Sequence, residues 1–121
     1  MSRFNSFEEI LSWQKSRDFN KKIYLLTESS TFKKDFDLVR QIRRASVSIS
    51  TNIAEGYERK TDREFVHFLF ISKGSAAEVR SLLYLAFDLN YIEKSLFEEL
   101  KDEVSQISKL ISSFIKYLNV R

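Results

Sequence analysis

A chain of 121 residues with 43% hydrophobic side chains can bury one core and is too apolar to be disordered; with no proline and two glycines it lacks an all-β domain's turn residues. No cysteine means no disulfide and no thiolate metal or redox chemistry, and the formal net charge of +3 is a mild excess rather than a polybasic tract. No apolar run approaches the roughly 20 residues of a membrane span, and Glu8 and Glu9 fall where a secretory signal would be apolar, so a cytoplasmic protein without membrane contact is expected.

Four helices are predicted, over residues 7–29, 36–56, 62–89 and 96–118, joined by short connections. The first opens on a capping box, Ser6 with Glu9, in which a hydroxyl and a carboxylate satisfy each other's backbone N–H groups. It carries two half-apolar stripes, Ile10-Trp13-Arg17-Asn20-Tyr24 and Ser12-Ser16-Phe19-Ile23-Leu26, the pattern of a helix with two neighbours. The second starts at Asp35, a cap without a Glu partner, and Gly56 is expected to stop it in a left-handed conformation. Its seam reads Val39, Ile42, Ser46, Ile49, Ile53.

The third helix opens on Thr61 with Glu64 and ends at Asn90. Its core stripe reads Phe65, Phe68, Ser72, Ser75, Val79, Leu82, Ala86, Leu89. A second apolar series, Val66, Phe70, Ala77, Tyr84, Tyr91, lies well away from the first, where an amphipathic helix should be polar, and it reads as a subunit interface. Mid-helix Gly74 costs about 1 kcal/mol against alanine, which the approach of another helix would offset. The fourth helix opens on Ser95 with Glu98 and runs Phe97, Leu100, Val104, Ile107, Ile111, Phe114, Leu118 in unbroken 3/4 spacing. The fold class is therefore all-α: one domain over 1–121, an antiparallel up-down four-helix bundle.

Gln41-Ile42-Arg43-Arg44-Ala45, then Asn52-Ile53-Ala54-Glu55-Gly56, then Gly74-Ser75 followed by Glu78 form a combination that resembles the four-helix-bundle family encoded in intervening sequences of bacterial 23S rRNA genes. Trp13-Gln14-Lys15 and Leu26-Thr27 suit that family's first helix. Ser50, Phe32-Lys33 and Asn90 stand where the family commonly has proline, Phe-Pro and glycine; all three affect helix ends and kinks. The resemblance implies a ring-shaped homo-oligomer, typically a homopentamer. It also implies kinship to accessory proteins of diversity-generating retroelements, whose basic surface binds nucleic acid and a reverse transcriptase. It supplies no established biochemical activity.

Charge is unevenly spread. Residues 33–63 carry eight Lys and Arg against five acids, whereas 93–103 carry five acids against two Lys. Arg40 and Arg44 fall well away from the core stripe of the second helix, Arg43 on its flank, and Arg59, Lys60 and Arg63 extend the charge beyond the helix end. Guanidinium groups suit phosphate through paired hydrogen bonds, so these six are the candidate contacts to RNA or DNA. The other reading pairs them with Glu55, Glu58, Asp62 or a neighbouring subunit. Asn52 and Glu55, one turn apart, read as structural: a buried amide, and an anchor for Arg43 or Arg59 whose loss would cost about 3–5 kcal/mol.

Catalysis lacks residues. Glu64 and His67 have the Glu-x-x-His spacing of di-iron bundles, but such a site needs two pairs and the chain has one histidine. His67 shares a helix with Ser72 and Ser75 at spacings that make no triad, and two isolated glycines make no phosphate loop. No metal, cofactor or catalytic residue is expected. Two functions lead: an oligomeric scaffold or accessory factor that binds structured RNA or DNA, with a protein partner such as a reverse transcriptase, or an assembly module without nucleic acid; a distant third is a metal-dependent enzyme in which a symmetric oligomer brings several Glu64–His67 pairs together.

Overall fold

The computed structural model describes residues 4–121, in which four helices alternate in direction: α1 (Leu11–Thr27), α2 (Phe36–Tyr57), α3 (Asp62–Asp88) and α4 (Lys94–Val120). No strand occurs among the described residues. Each helix packs on the next and α4 returns to α1, which closes a square. The pairs that meet fix the antiparallel sense. Asn20 meets Ser46 and Ser50 while Thr27 meets Arg43, Ser48 meets Ser75 while Gly56 meets Phe65, and Tyr84 meets Phe97 while Arg80 meets Ser105.

The cap chemistry is partly as expected. Asp35 accepts from the Leu38 amide at 3.1 Å and Thr61 Oγ1 from the Glu64 amide at 3.1 Å. Ser6 caps nothing: Glu9 accepts from the Asn5 amide instead, and Phe7–Glu9 is a separate 3-10 turn. Buried Ile10 is extended, with ψ 123°, and this breaks the turn from α1, which starts only at Leu11. Helix α4 starts one residue before Ser95, after an extended Glu93, so that serine lies inside the first turn. Asn90, with φ 63°, is the left-handed residue that ends α3, in line with the tolerance of asparagine for that region.

Gly56 is not the left-handed stop. Helix α2 runs on to Tyr57, and no glycine has a positive φ. A Cβ on Gly56 would lie 2.8 Å from both Phe65 Cδ1 and Phe68 Cβ, so glycine is needed for the close approach of α2 and α3. Gly74 has the reverse surroundings, with nothing within 4 Å of an added Cβ.

The core phase matches the sequence reading in α1, whose buried stripe is Ser12, Ser16, Phe19, Ile23 and Leu26. In α2, Leu38 and Ala45 join Ile42, Ser46, Ile49 and Ile53, while Val39 is half-buried. In α4, Ile115 rather than Phe114 is buried. The α3 stripe is shifted by one residue at several points: Leu69, Ala76 and Leu83 are buried, Phe68, Ser75 and Leu82 half-buried, and Leu89 exposed. Aliphatic side chains fill the middle of the bundle. One end is closed by the rings of Phe4, Tyr57, Phe65 and Phe114, the other by Phe32, Tyr91, Phe87 and Phe97.

Buried and half-buried polar side chains bond across the seams. Asn20 Nδ2 donates to Ser50 Oγ at 3.0 Å and Asn20 Oδ1 accepts from Ser46 Oγ at 2.7 Å, which ties α1 to α2. Ser72 donates to the Ile49 carbonyl at 2.7 Å and Ser75 to Ser48 at 2.9 Å, which ties α2 to α3. Arg121 holds the Asp62 carboxylate through two bonds of 2.7 and 2.8 Å and clips the chain end to the start of α3. That bidentate contact draws the Asp62 carboxyl below its ordinary range.

Candidate nucleic-acid interface

The six predicted cations do not share one surface. Helix α2 separates Arg40 from Arg59 by about 28 Å at 1.5 Å per residue. Arg40, Arg43 and Arg44 lie near its N-terminal end, whereas Arg59, Lys60 and Arg63 cluster at the turn into α3.

Their bonding differs as much as their position. Arg43 is engaged inside the fold: Nε donates to Thr27 Oγ1 at 2.8 Å, Nη2 to Glu28 at 2.9 Å, and the guanidinium lies over the Tyr24 ring at 4.3 Å. Arg59 donates to Glu55 at 2.9 Å across one turn and lies over Phe68 at 4.6 Å. Glu55 is therefore the Arg59 anchor, on the surface rather than in a buried pair, and such a pair contributes little. Asn52 is half-buried and donates twice to its own helix, to Ser48 O and Ser48 Oγ, both at 2.8 Å. It does not touch Glu55 through any of these bonds.

Arg40 and Arg44 are exposed, and among the described residues neither has a carboxylate partner. They border an open groove of about 690 Å³ with Tyr24, Phe36, Val39, Arg43 and Val47 along it. A neighbouring depression of about 580 Å³ brings Lys34, Asp37 and Tyr91 up to Phe36 and Arg40. Phe36 borders both, and 75% of its surface is exposed. The sequence reading missed it, although it follows the Asp35 cap directly and falls out of phase with Ile42 and Ile49.

The predicted interface series on α3 divides. Phe70, Ala77 and Tyr84 are exposed, whereas Val66 and Tyr91 are half-buried. Tyr91 donates to Asp35 Oδ2 at 2.9 Å, which raises its phenol pKa, and its ring lies 5.1 Å from that of Phe32. The Tyr84 ring meets Phe97 edge-on at 5.0 Å. Tyr91 lies beyond the end of α3, past the left-handed Asn90, so the heptad step does not carry through to it. Ile71 and Leu85 on α3 and Leu89 just past its end are also exposed, and the heptad series omits them.

The side chains weighed for chemistry lie apart in the fold. Thr61 Oγ1 lies 3.2 Å from the Glu64 carboxylate, His67 is exposed with its ring edge-on to Phe68, and Ser72 and Ser75 bond to α2.

No curated protein matches the chain. Among solved structures, it is similar to a protein with unknown function from the S23 ribosomal protein family of Bacteroides thetaiotaomicron VPI-5482. The two share 29% identity at a TM-score of 0.81, over 88% of this chain and 96% of that one. The sequence profile described as 23S rRNA-intervening sequence protein matches residues 8–113, nearly the whole bundle. With its fold and its sequence in agreement, the chain belongs to the 23S rRNA-intervening sequence protein family.

Proposed function

We propose that the protein is a non-enzymatic oligomeric bundle that binds structured RNA or DNA through the α2 face around Arg40 and Arg44, as a scaffold or accessory factor. One observation carries this reading. These two guanidinium groups point outward beside a groove and no carboxylate among the described residues neutralises them. An unpaired arginine gives up no internal bond to meet phosphate, whereas Arg43 and Arg59 would each have to leave an acid. Lys60 and Arg63 lie too far away to join the same contact and would serve a second strand or segment.

Assembly rests on α3, where Phe70, Ile71, Ala77 and Leu85 expose apolar surface that water disfavours. The open space over Gly74 would let another helix approach closely. The family resemblance supplies the expected number, a homopentamer in a ring, and a protein partner such as a reverse transcriptase. Without the arginine face the same α3 surface supports a second reading, an assembly module with no nucleic-acid role.

Arg40→Glu with Arg44→Glu should abolish retardation of RNA and DNA while helicity is unchanged and light scattering still gives about five times the 14.3 kDa chain mass. Retained binding by the double variant at moderate salt would refute the assignment of the face. Binding by the wild type that vanishes near physiological salt would favour the assembly module.

A further inference from the structure

We infer that the N-terminal end of α2 is a stacking platform for unpaired nucleotides, with Phe36 as the surface on which a base lies and Arg40 and Arg44 as the phosphate contacts. This rests on the nucleic-acid reading above and narrows its ligand to single-stranded or splayed-out segments.

Phe36 is the starting point. A phenyl ring left in water forfeits the gain of burial, and this one is 75% exposed at the first position of a helix whose inward face is fully supplied with isoleucine. Arg40 and Arg44 follow at i+4 and i+8, so ring and guanidinium groups form one row, each step about 6 Å along the axis. The row sets one uncharged π-face beside two cations, the pairing that recognises a base and its backbone together. Lys34 adds a cation beside the ring; of the two acids on that side, Asp35 is engaged by the Leu38 amide and the Tyr91 hydroxyl, and Asp37 is the other.

The floor of the row is held in place. Arg43 is fixed by Thr27 and Glu28 and covers one face of the Tyr24 ring, so Tyr24 and Arg43 form a preset wall rather than a mobile one. A duplex has its base faces already stacked and offers Phe36 nothing beyond phosphate, whereas an unpaired base can lie on the ring. Stacking also makes little distinction between ribose and deoxyribose, so the ligand class is defined by strandedness.

The test is fluorescence anisotropy on the intact protein with three probes: a short oligouridylate, a short oligothymidylate and a fully paired blunt-ended duplex of similar charge. Wild type should prefer both single strands to the duplex. Phe36→Ala should weaken both single strands roughly ten-fold, the scale of one lost stack, leave the duplex unchanged, and keep the helical spectrum because the ring supports no core contact. Phe36→Trp should restore single-strand binding. Arg40→Glu with Arg44→Glu should weaken all three probes. Equal binding of strands and duplex, with Phe36→Ala without effect, overturns the platform yet leaves the nucleic-acid reading standing if the arginine variant still loses binding. A wild type that binds no probe overturns both. A change in oligomer mass on Phe36→Ala with unchanged binding makes the ring a contact with a second copy, which also overturns the platform.

Discussion

Where α2 meets α3, the seam is built from small residues and inward-directed hydroxyls: Gly56 under Phe65 and Phe68, Ser72 on the Ile49 carbonyl, Ser75 on Ser48. Where α4 returns to α1, the helices touch less, and Lys22 spans the gap to Glu103 at 2.8 and 2.9 Å and to Glu99 at 3.8 Å. Exposed Leu25 and Leu96 flank a shallow groove there. The first seam joins helices separated by a short turn, the second joins helices at opposite ends of the chain. Close approach of backbones is therefore invested where the chain already brings helices together. The seam between distant helices relies on long flexible side chains in water. The first should be indifferent to ionic strength and the second sensitive to it.

Three substitutions would break or sharpen that contrast. Gly56→Ala forces a methyl into Phe65 and Phe68 and should cost about 1–3 kcal/mol in urea unfolding, despite the better helix propensity of alanine. A neutral outcome would mean that α2 and α3 can move apart freely. Ser72→Ala removes one buried hydroxyl bond and should cost about 1 kcal/mol, equally at low and high salt. Lys22→Ala at the other seam should cost about 0.5 kcal/mol or less, and added salt should erase the difference from wild type. Hydrogen bonding to Glu103 raises the Lys22 pKa, so its contribution is complete below the ordinary lysine value and fades as pH rises through the raised one.

The sequence was legible where a single periodicity ruled. In α4 the apolar residues define one stripe, and along it the reading differs from the structure in choosing Phe114 over Ile115; the cap placed at Ser95 also failed, because the helix starts at Lys94. In α3 nearly every position is apolar or small, so several stripes fit equally and the phase chosen was shifted towards Phe68, Leu82 and Leu89. Gly56 shows a different limit. Its type suggested a stop, but its purpose lies in residues 9 and 12 positions further on, which only packing brings near. The arginines show the same limit at the candidate site. All six are basic in the sequence, and only the fold reveals that Arg43 is tied to the end of α1, that Arg59 is held by Glu55, and that Arg40 and Arg44 are left open beside Phe36.

Asn20 has a bearing on how the chain finds this arrangement among near neighbours. Helices lined with isoleucine and leucine can slide past one another by a turn with little change in buried area. The Asn20 carboxamide gives to Ser50 and takes from Ser46, two residues themselves one turn apart. A slip of one turn would exchange one of those serines for Ile42 or Ala54 and strand half of the amide, at about 1–3 kcal/mol. The side chain thus works as a detent, favouring one alignment of α1 against α2 over its one-turn neighbours.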